Sequence, residues 1–193
     1  MKTELKKLLT AESTDVDFKV SLEKAKPKSW LKTVVAFANG IGGSILFGVD
    51  DDRQIIGLDH VQADAEKISN LIKTKVDPLI MFSLKPVTMD NKDILVLEIA
   101  AGKMTPYYYV NEGTRTAYVR IGNESVVAPA YIIHELMLKG QRLSFDALST
   151  NEKFSDASFT LFKSNFYKAT GKRIEGRKDY ISFGMIDHEK TNR

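Results

Sequence analysis

Three carboxylates and a lysine fall within eight residues of this chain: Glu12, Asp15, Asp17 and Lys19 in ESTDVDFK. Clustered carboxylates suit a hard cation such as Mg2+ or Mn2+, and a neighbouring ammonium suits a phosphate. VDFKV alternates apolar and polar residues, which predicts a half-buried strand with Asp15, Asp17 and Lys19 on one face and Glu12 on the turn before it. The same residues also describe a solvated strand edge after a capped helix end. A second acidic group, Asp50, Asp51 and Asp52, follows the apolar run SILFGV. It joins the first group if the two strands are neighbours, as sequential strands are in roughly two-thirds of cases.

Between these groups lies Asn39-Gly40-Ile41-Gly42-Gly43. Glycines let a backbone turn tightly and come close to another backbone or a phosphate. There is no GKS or GKT, and the order is helix, glycines, strand, so neither a Walker loop nor a dinucleotide fingerprint is present. A helix end with a packing glycine is the competing reading. A third group is Thr105-Pro106-Tyr107-Tyr108-Tyr109 with Arg115, Tyr118 and Arg120. Tyrosines and arginines on paired strands can stack bases and contact phosphates, or simply form an aromatic hairpin. Arg120 sits inside an apolar strand and requires a carboxylate or phosphate partner if buried.

The elements that must position these groups can be read from periodicity. Residues 1–10 predict a short amphipathic helix, with Leu5, Leu8 and Leu9 on one face. Pro27 marks a break and Ser29 a cap before the helix WLKTVVAFAN, which buries Trp30, Val34, Phe37 and Ala38. SILFGV (44–49) is a buried strand and QIIGL a short return strand. A second helix spans 62–76 and stops at Asp77-Pro78. FSLKPVTM and DILVLEIA form a hairpin around Asp90–Asp93, and YYYV pairs with TAYVRI across Asn111-Glu112-Gly113. YIIHELMLKG is a third helix ended by Gly140, and SFTLFKSNFYKAT a further amphipathic helix. The polar stretch after residue 142 divides a domain over 1–142 from a linker and the start of a truncated C-terminal region over 143–193.

Composition narrows the classes. The 193 residues include no cysteine, which removes thiol nucleophiles, disulfides and Cys-based metal sites. His60, His134 and His188 lack metal-ligand spacing. No apolar run approaches the ~20 residues of a membrane span, and no signal-peptide core is present, so a cytoplasmic protein without membrane contact is expected. The net charge of +3 is mild. Residues 1–138 hold 17 Lys and Arg against 18 Asp and Glu, whereas 139–193 hold 11 against 7, so the excess is C-terminal.

Taken in order, Glu12-Ser13 with Asp17-Phe18-Lys19, then Val35-Ala-Phe-Ala-Asn39-Gly-Ile-Gly-Gly43 with Gly48-Val-Asp50-Asp51, then Pro106-Tyr-Tyr with Tyr118-Val-Arg120-Ile-Gly122, resemble one family. It is the AlbA-like DNA-binding domain, also called the Schlafen AlbA domain or divergent AAA family, and the resemblance covers about residues 10–140. It implies an α+β fold, a mixed sheet with helices packed on it, at the N-terminus of a bacterial transcriptional regulator. It implies DNA or RNA as partner, with Lys19, Lys24, Lys28, Arg115 and Arg120 as backbone contacts. Some Schlafen members are metal-dependent endoribonucleases. Their triad maps onto Glu12, Asp17 and Asp51, with Asp50 adjacent, and implies Mg2+ or Mn2+. Here the second position is aspartate where that signature has glutamate. The other implied role is a dimerisation or sensor domain that forms a homodimer without binding nucleic acid.

Overall fold

The computed structural model describes residues 14–143 and 158–186. The expected helix over 1–10, and Glu12 with it, lie outside the described residues. The chain divides into two compact units, Met1–Arg142 and Leu143–Arg193.

In the first unit, alternation makes β1 (Val16–Lys19), with Val16 and Phe18 buried and Asp17 and Lys19 on the opposite face. β2 (Gly42–Phe47) lies parallel to it, and β4 (Phe82–Met89) and β5 (Lys92–Ala100) follow antiparallel, giving a mixed sheet ordered β1-β2-β5-β4. The inner strands carry continuous apolar runs, Ile45–Phe47 and Ile94–Leu97, because both of their faces are covered. One face meets Trp30, Val34 and Phe37 of α1 (Lys28–Asn39) and Ile68 and Ile72 of α2 (Val61–Lys75). The other holds a smaller cluster of Val16, Phe18, Leu46, Val87 and Val96. The mixed sheet with helices packed on it is the α+β fold the resemblance implies.

The helix α1 starts one residue ahead of Ser29, after Pro27 at φ −62°, whose fixed torsion already suits the first turn. Ser29 therefore sits inside the helix and caps nothing. Asp90 and Asn91, at φ 50° and 58°, form the two-residue turn between β4 and β5, the conformation a tight hairpin demands. The return strand QIIGL reduces to a single bridge between Val49 and Ile55. His134 is exposed on α3 (Ala130–Gly140).

The third hairpin departs most from its expected form. β6 (Tyr108–Asn111) pairs with β3 (Val76–Asp77) and with β7 (Thr114–Thr116). TAYVRI then breaks, and β8 (Tyr118–Ile121) pairs onward with β9 (Glu124–Val127). Continuing the β6–β7 register would set Tyr107 opposite Tyr118. The side chain of Asn39 occupies that position. Its Nδ2 donates to the carbonyls of Tyr107 (3.0 Å) and Tyr118 (2.9 Å), and its Oδ1 accepts from the Tyr107 amide at 2.7 Å. The amide thus replaces a rung of the ladder, the strands splay, and the β8–β9 hairpin folds over α1. That helix is consequently buried nearly all round.

On the sheet edge, Lys85 Nζ bonds both Glu98 oxygens (2.9 and 2.7 Å) and Ser83 Oγ donates to Oε2 at 2.9 Å. The Lys85 hydrogen bond, opposed by some burial, holds the Glu98 carboxyl below its ordinary value of 4.5. A depressed carboxylate stabilises the fold above its unfolded pKa and loses that contribution as pH falls through the folded one. Because the pair is about half exposed, Glu98→Gln is expected to cost under ~1 kcal/mol at pH 7. Urea titrations of both proteins from pH 7 downward should show the gap closing below 4.5. A gap that widened on acidification would contradict this assignment.

In the second unit, α4 (Thr160–Thr170) ends on Gly171 at φ 69°, the left-handed torsion glycine adopts freely. It packs Phe162 and Phe166 against Phe183, while Tyr180 of α5 (Arg177–Ser182) meets Phe159 at 4.5 Å between ring centres. Among the described residues no helix is long and apolar enough to cross a membrane.

Candidate functional site

The parallel pairing of β1 with β2 sets Asp17 beside Ile45 and Lys19 beside Phe47. The amides of Gly48 and Val49 both donate to the Lys19 carbonyl, at 2.8 and 3.2 Å. The acidic turn therefore starts next to the end of β1. Asp50 is used within that turn, where its Oδ1 accepts from the Gln54 amide at 2.7 Å. Asp51 is exposed, and it lines one open cleft of about 550 Å3 together with Asp17, Lys19, Lys32, Arg120 and Ser125.

The floor of this cleft is Arg120. Its side chain is only 6% exposed. It donates from Nε to the Thr14 carbonyl, from Nη2 to the Val16 carbonyl and from Nη1 to Ser125 Oγ, each at 3.1 Å. Ser125 passes the network to buried Thr33 of α1 at 3.1 Å. The guanidinium also lies 5.2 Å over the Phe37 ring and 3.8 Å from Asp17 Oδ1. Burial lowers its pKa below the ordinary arginine value, and Asp17 partly offsets this. Asp17 Oδ2 is 3.0 Å from Lys19 Nζ, which also donates to the Phe18 carbonyl.

A divalent cation would need several oxygen donors facing one point. Among the described residues no three acidic or imidazole groups converge on one. Four carboxylates line the cleft, Asp17, Glu23, Asp51 and Glu124, and of these Asp17 already faces two cations within 4 Å, Lys19 and Arg120, which would repel a metal ion. The described residues do not fit a metal.

The other residues singled out in the sequence lie apart. Lys24 pairs with Asp64 of α2 at 3.0 Å. Arg115 pairs with Asp77 at 2.7 Å and stacks 4.5 Å over Tyr108. Lys28 borders a smaller hollow with Tyr109, Asn111 and Thr116. Gly43 serves packing: a Cβ there would lie 2.6 Å from the Asp15 carbonyl oxygen and 2.8 Å from the Phe37 ring. Gly43→Ala is accordingly expected to push β1 off β2 and to cost about 1–3 kcal/mol, read as a lowered urea midpoint. An unchanged midpoint would show that β1 yields without strain.

Two features carry little signal along the chain. Asn39 reads only as part of a helix end, yet it is buried in the core and bonded there to two distant strands. Lys26 and Lys32 complete a run with Lys24 and Lys28, four lysines in nine residues that span the connection after β1 and the first turns of α1. Among the described residues no carboxylate lies within ion-pair distance of Lys26, Lys28 or Lys32, and Lys32 reaches the cleft itself. The spacing of the four is the one sequence sign of this run.

Sheet, helices and charged cleft define a small α+β domain of the AlbA kind. Residues 12–129 match the family described as Schlafen, AlbA_2, and the chain belongs to that family. It is 30% identical over 128 residues to an uncharacterized ATP-binding protein of Ureaplasma parvum serovar 3. That match takes in 61% of this chain and 35% of the relative, so the chain spans about a third of the relative's length. Among solved structures, the DIP2311 protein from Corynebacterium diphtheriae has a TM-score of 0.51 at 18% identity, over 97% of this chain and 42% of that one, which is a likeness of fold. The N-terminal domain of a RecG-related protein from Nitrosomonas europaea has a TM-score of 0.45 at 20% identity, over 65% of this chain and 94% of that one.

Proposed function

We propose that residues 1–142 form a nucleic-acid-binding module of a bacterial transcriptional regulator. The reading rests on membership of the Schlafen AlbA_2 family, and one observation carries it to particular residues. The Lys24–Lys32 segment presents three ammonium groups without ion-pair partners among the described residues, and one of them, Lys32, lines the cleft. Such groups release counterions when they meet phosphates, so binding should weaken steeply with salt. Lys26, Lys28 and Lys32 are the proposed backbone contacts, with Lys24 beside them. Lys19, Arg115 and Arg120 are already engaged within the fold and hold it in shape.

The experiment is titration of the full chain into labelled duplex DNA and structured RNA between roughly 50 and 200 mM salt. Lys26→Gln/Lys28→Gln/Lys32→Gln is expected to flatten the salt dependence by about two to three powers. Affinity indifferent to salt would refute the reading.

A metal-dependent endoribonuclease is the second reading, and what favours it is that Asp17 and Asp51 line one cleft. The two cations beside Asp17 speak against it. Incubation of structured RNA with Mn2+ or EDTA, beside Asp17→Ala, is expected to show no metal-dependent cleavage. Cleavage that disappears in the variant would reverse the order of the two readings.

A further inference from the structure

We infer that the second unit carries its own surface for single-stranded nucleic acid, on the loop joining α4 to α5. Lys172 and Arg173 lie on that loop and Arg177 and Lys178 open α5, four cations within seven residues. The described part of the unit, 158–186, holds six Lys and Arg against Glu175 and Asp179 alone. Asp179 is tied to the loop backbone, its Oδ2 accepting from the amides of Glu175 (2.8 Å) and Gly176 (3.2 Å). Those bonds also hold the loop in one shape. Among the described residues no carboxylate lies within ion-pair distance of Lys172, Arg173 or Lys178.

An aromatic ring completes the surface. Tyr167, in the last turn of α4, is 50% exposed, and the Arg173 guanidinium lies 5.7 Å over its ring. An exposed ring among such cations is the arrangement that stacks an unpaired base while the cations hold the adjoining phosphates. A lipid surface would want apolar side chains next to the cations. Here the exposed apolar residues besides Tyr167 are Leu161, Phe183 and Met185, and Phe183 turns its ring onto Phe166 and Phe162, at 5.2 and 6.1 Å between centres. Arg173 and Tyr167 face water together, and Lys172 and Lys178 are exposed as well.

This surface belongs to a different unit from the lysine run, and the test distinguishes the two. The full chain is titrated into a labelled oligodeoxythymidylate of about 12 nucleotides, a duplex of the same length and anionic phosphatidylglycerol vesicles. Lys172→Gln/Arg173→Gln/Lys178→Gln should lower the salt slope for the single strand by about 2, at roughly 0.7 for each phosphate no longer neutralised. Tyr167→Ala should weaken single-strand binding about five- to hundredfold and leave duplex binding alone. All these side chains are on the surface, so the variants are expected to fold, which circular dichroism checks. Oligonucleotide binding unchanged in both variants, but reduced by Lys26→Gln/Lys28→Gln/Lys32→Gln, overturns this inference and keeps the proposed module. Binding abolished only in the loop variants supports this inference and overturns the module. Binding to vesicles alone overturns both.

Discussion

Asn39→Leu is expected to lower the unfolding free energy by about 3–6 kcal/mol, against the ~1 kcal/mol of an ordinary substitution. Leucine fills nearly the same space, so little of the loss is cavity. The cost comes from what Asn39 satisfies. Two carbonyls, of Tyr107 and Tyr118, and the Tyr107 amide would be left without partners in a site where Asn39 is 3% exposed. Each orphaned buried group costs about 1–3 kcal/mol. Domains of this size have about 5–15 kcal/mol in all, so the variant would be near the edge of folding. Asn39→Asp provides a milder companion. It keeps an acceptor for the Tyr107 amide but turns a carboxylate towards two carbonyls, so it should recover stability as pH falls and the group protonates. Urea midpoints for both variants check this. A loss below ~1 kcal/mol for Asn39→Leu would mean that the β6–β7 ladder closes over the gap without it.

Arg120→Met should cost about 3–5 kcal/mol, the range for removing one partner of a buried charge network. Methionine keeps most of the apolar stem over Phe37 but leaves the carbonyls of Thr14 and Val16 and the Ser125 hydroxyl without their donor. Arg120→Lys is expected to recover little, since one ammonium cannot reach three acceptors that a guanidinium spans as a fixed fork. Adding Asp17→Asn to Arg120→Met should cost less than the sum of the single changes, because the two side chains share one interaction. The readout that separates this structural role from a phosphate-binding one is salt. Removing a clamp buried in the fold lowers stability without flattening the salt dependence of binding, whereas removing a phosphate-binding cation flattens it by about 0.9 per site on duplex DNA. A flattened slope with undiminished stability would move Arg120 to the binding surface.

Much of the architecture follows from the order of residues, for local reasons. Alternation defines β1, because Val16 and Phe18 must leave water while Asp17 and Lys19 must not. Asp90-Asn91 specifies the β4–β5 turn, because few residues tolerate left-handed torsions in pairs. The apolar runs of β2 and β5 announce strands covered on both faces. The signatures at Asp17–Lys19, Asn39–Gly43 and Tyr118–Gly122 are enough to identify the Schlafen AlbA_2 family. What tertiary structure alone decides is the work of the polar residues within those signatures. Asn39 reads as a helix end until Tyr107 and Tyr118, 68 and 79 positions away, meet at its amide. Arg120 reads as a cation for a phosphate until β1, 104 residues earlier, supplies the carbonyl of Val16. A side-chain hydrogen bond to a distant backbone group leaves no periodicity in the chain. Its existence depends on where the fold places an unpaired carbonyl or amide, and that is fixed only when the sheet and helices have packed.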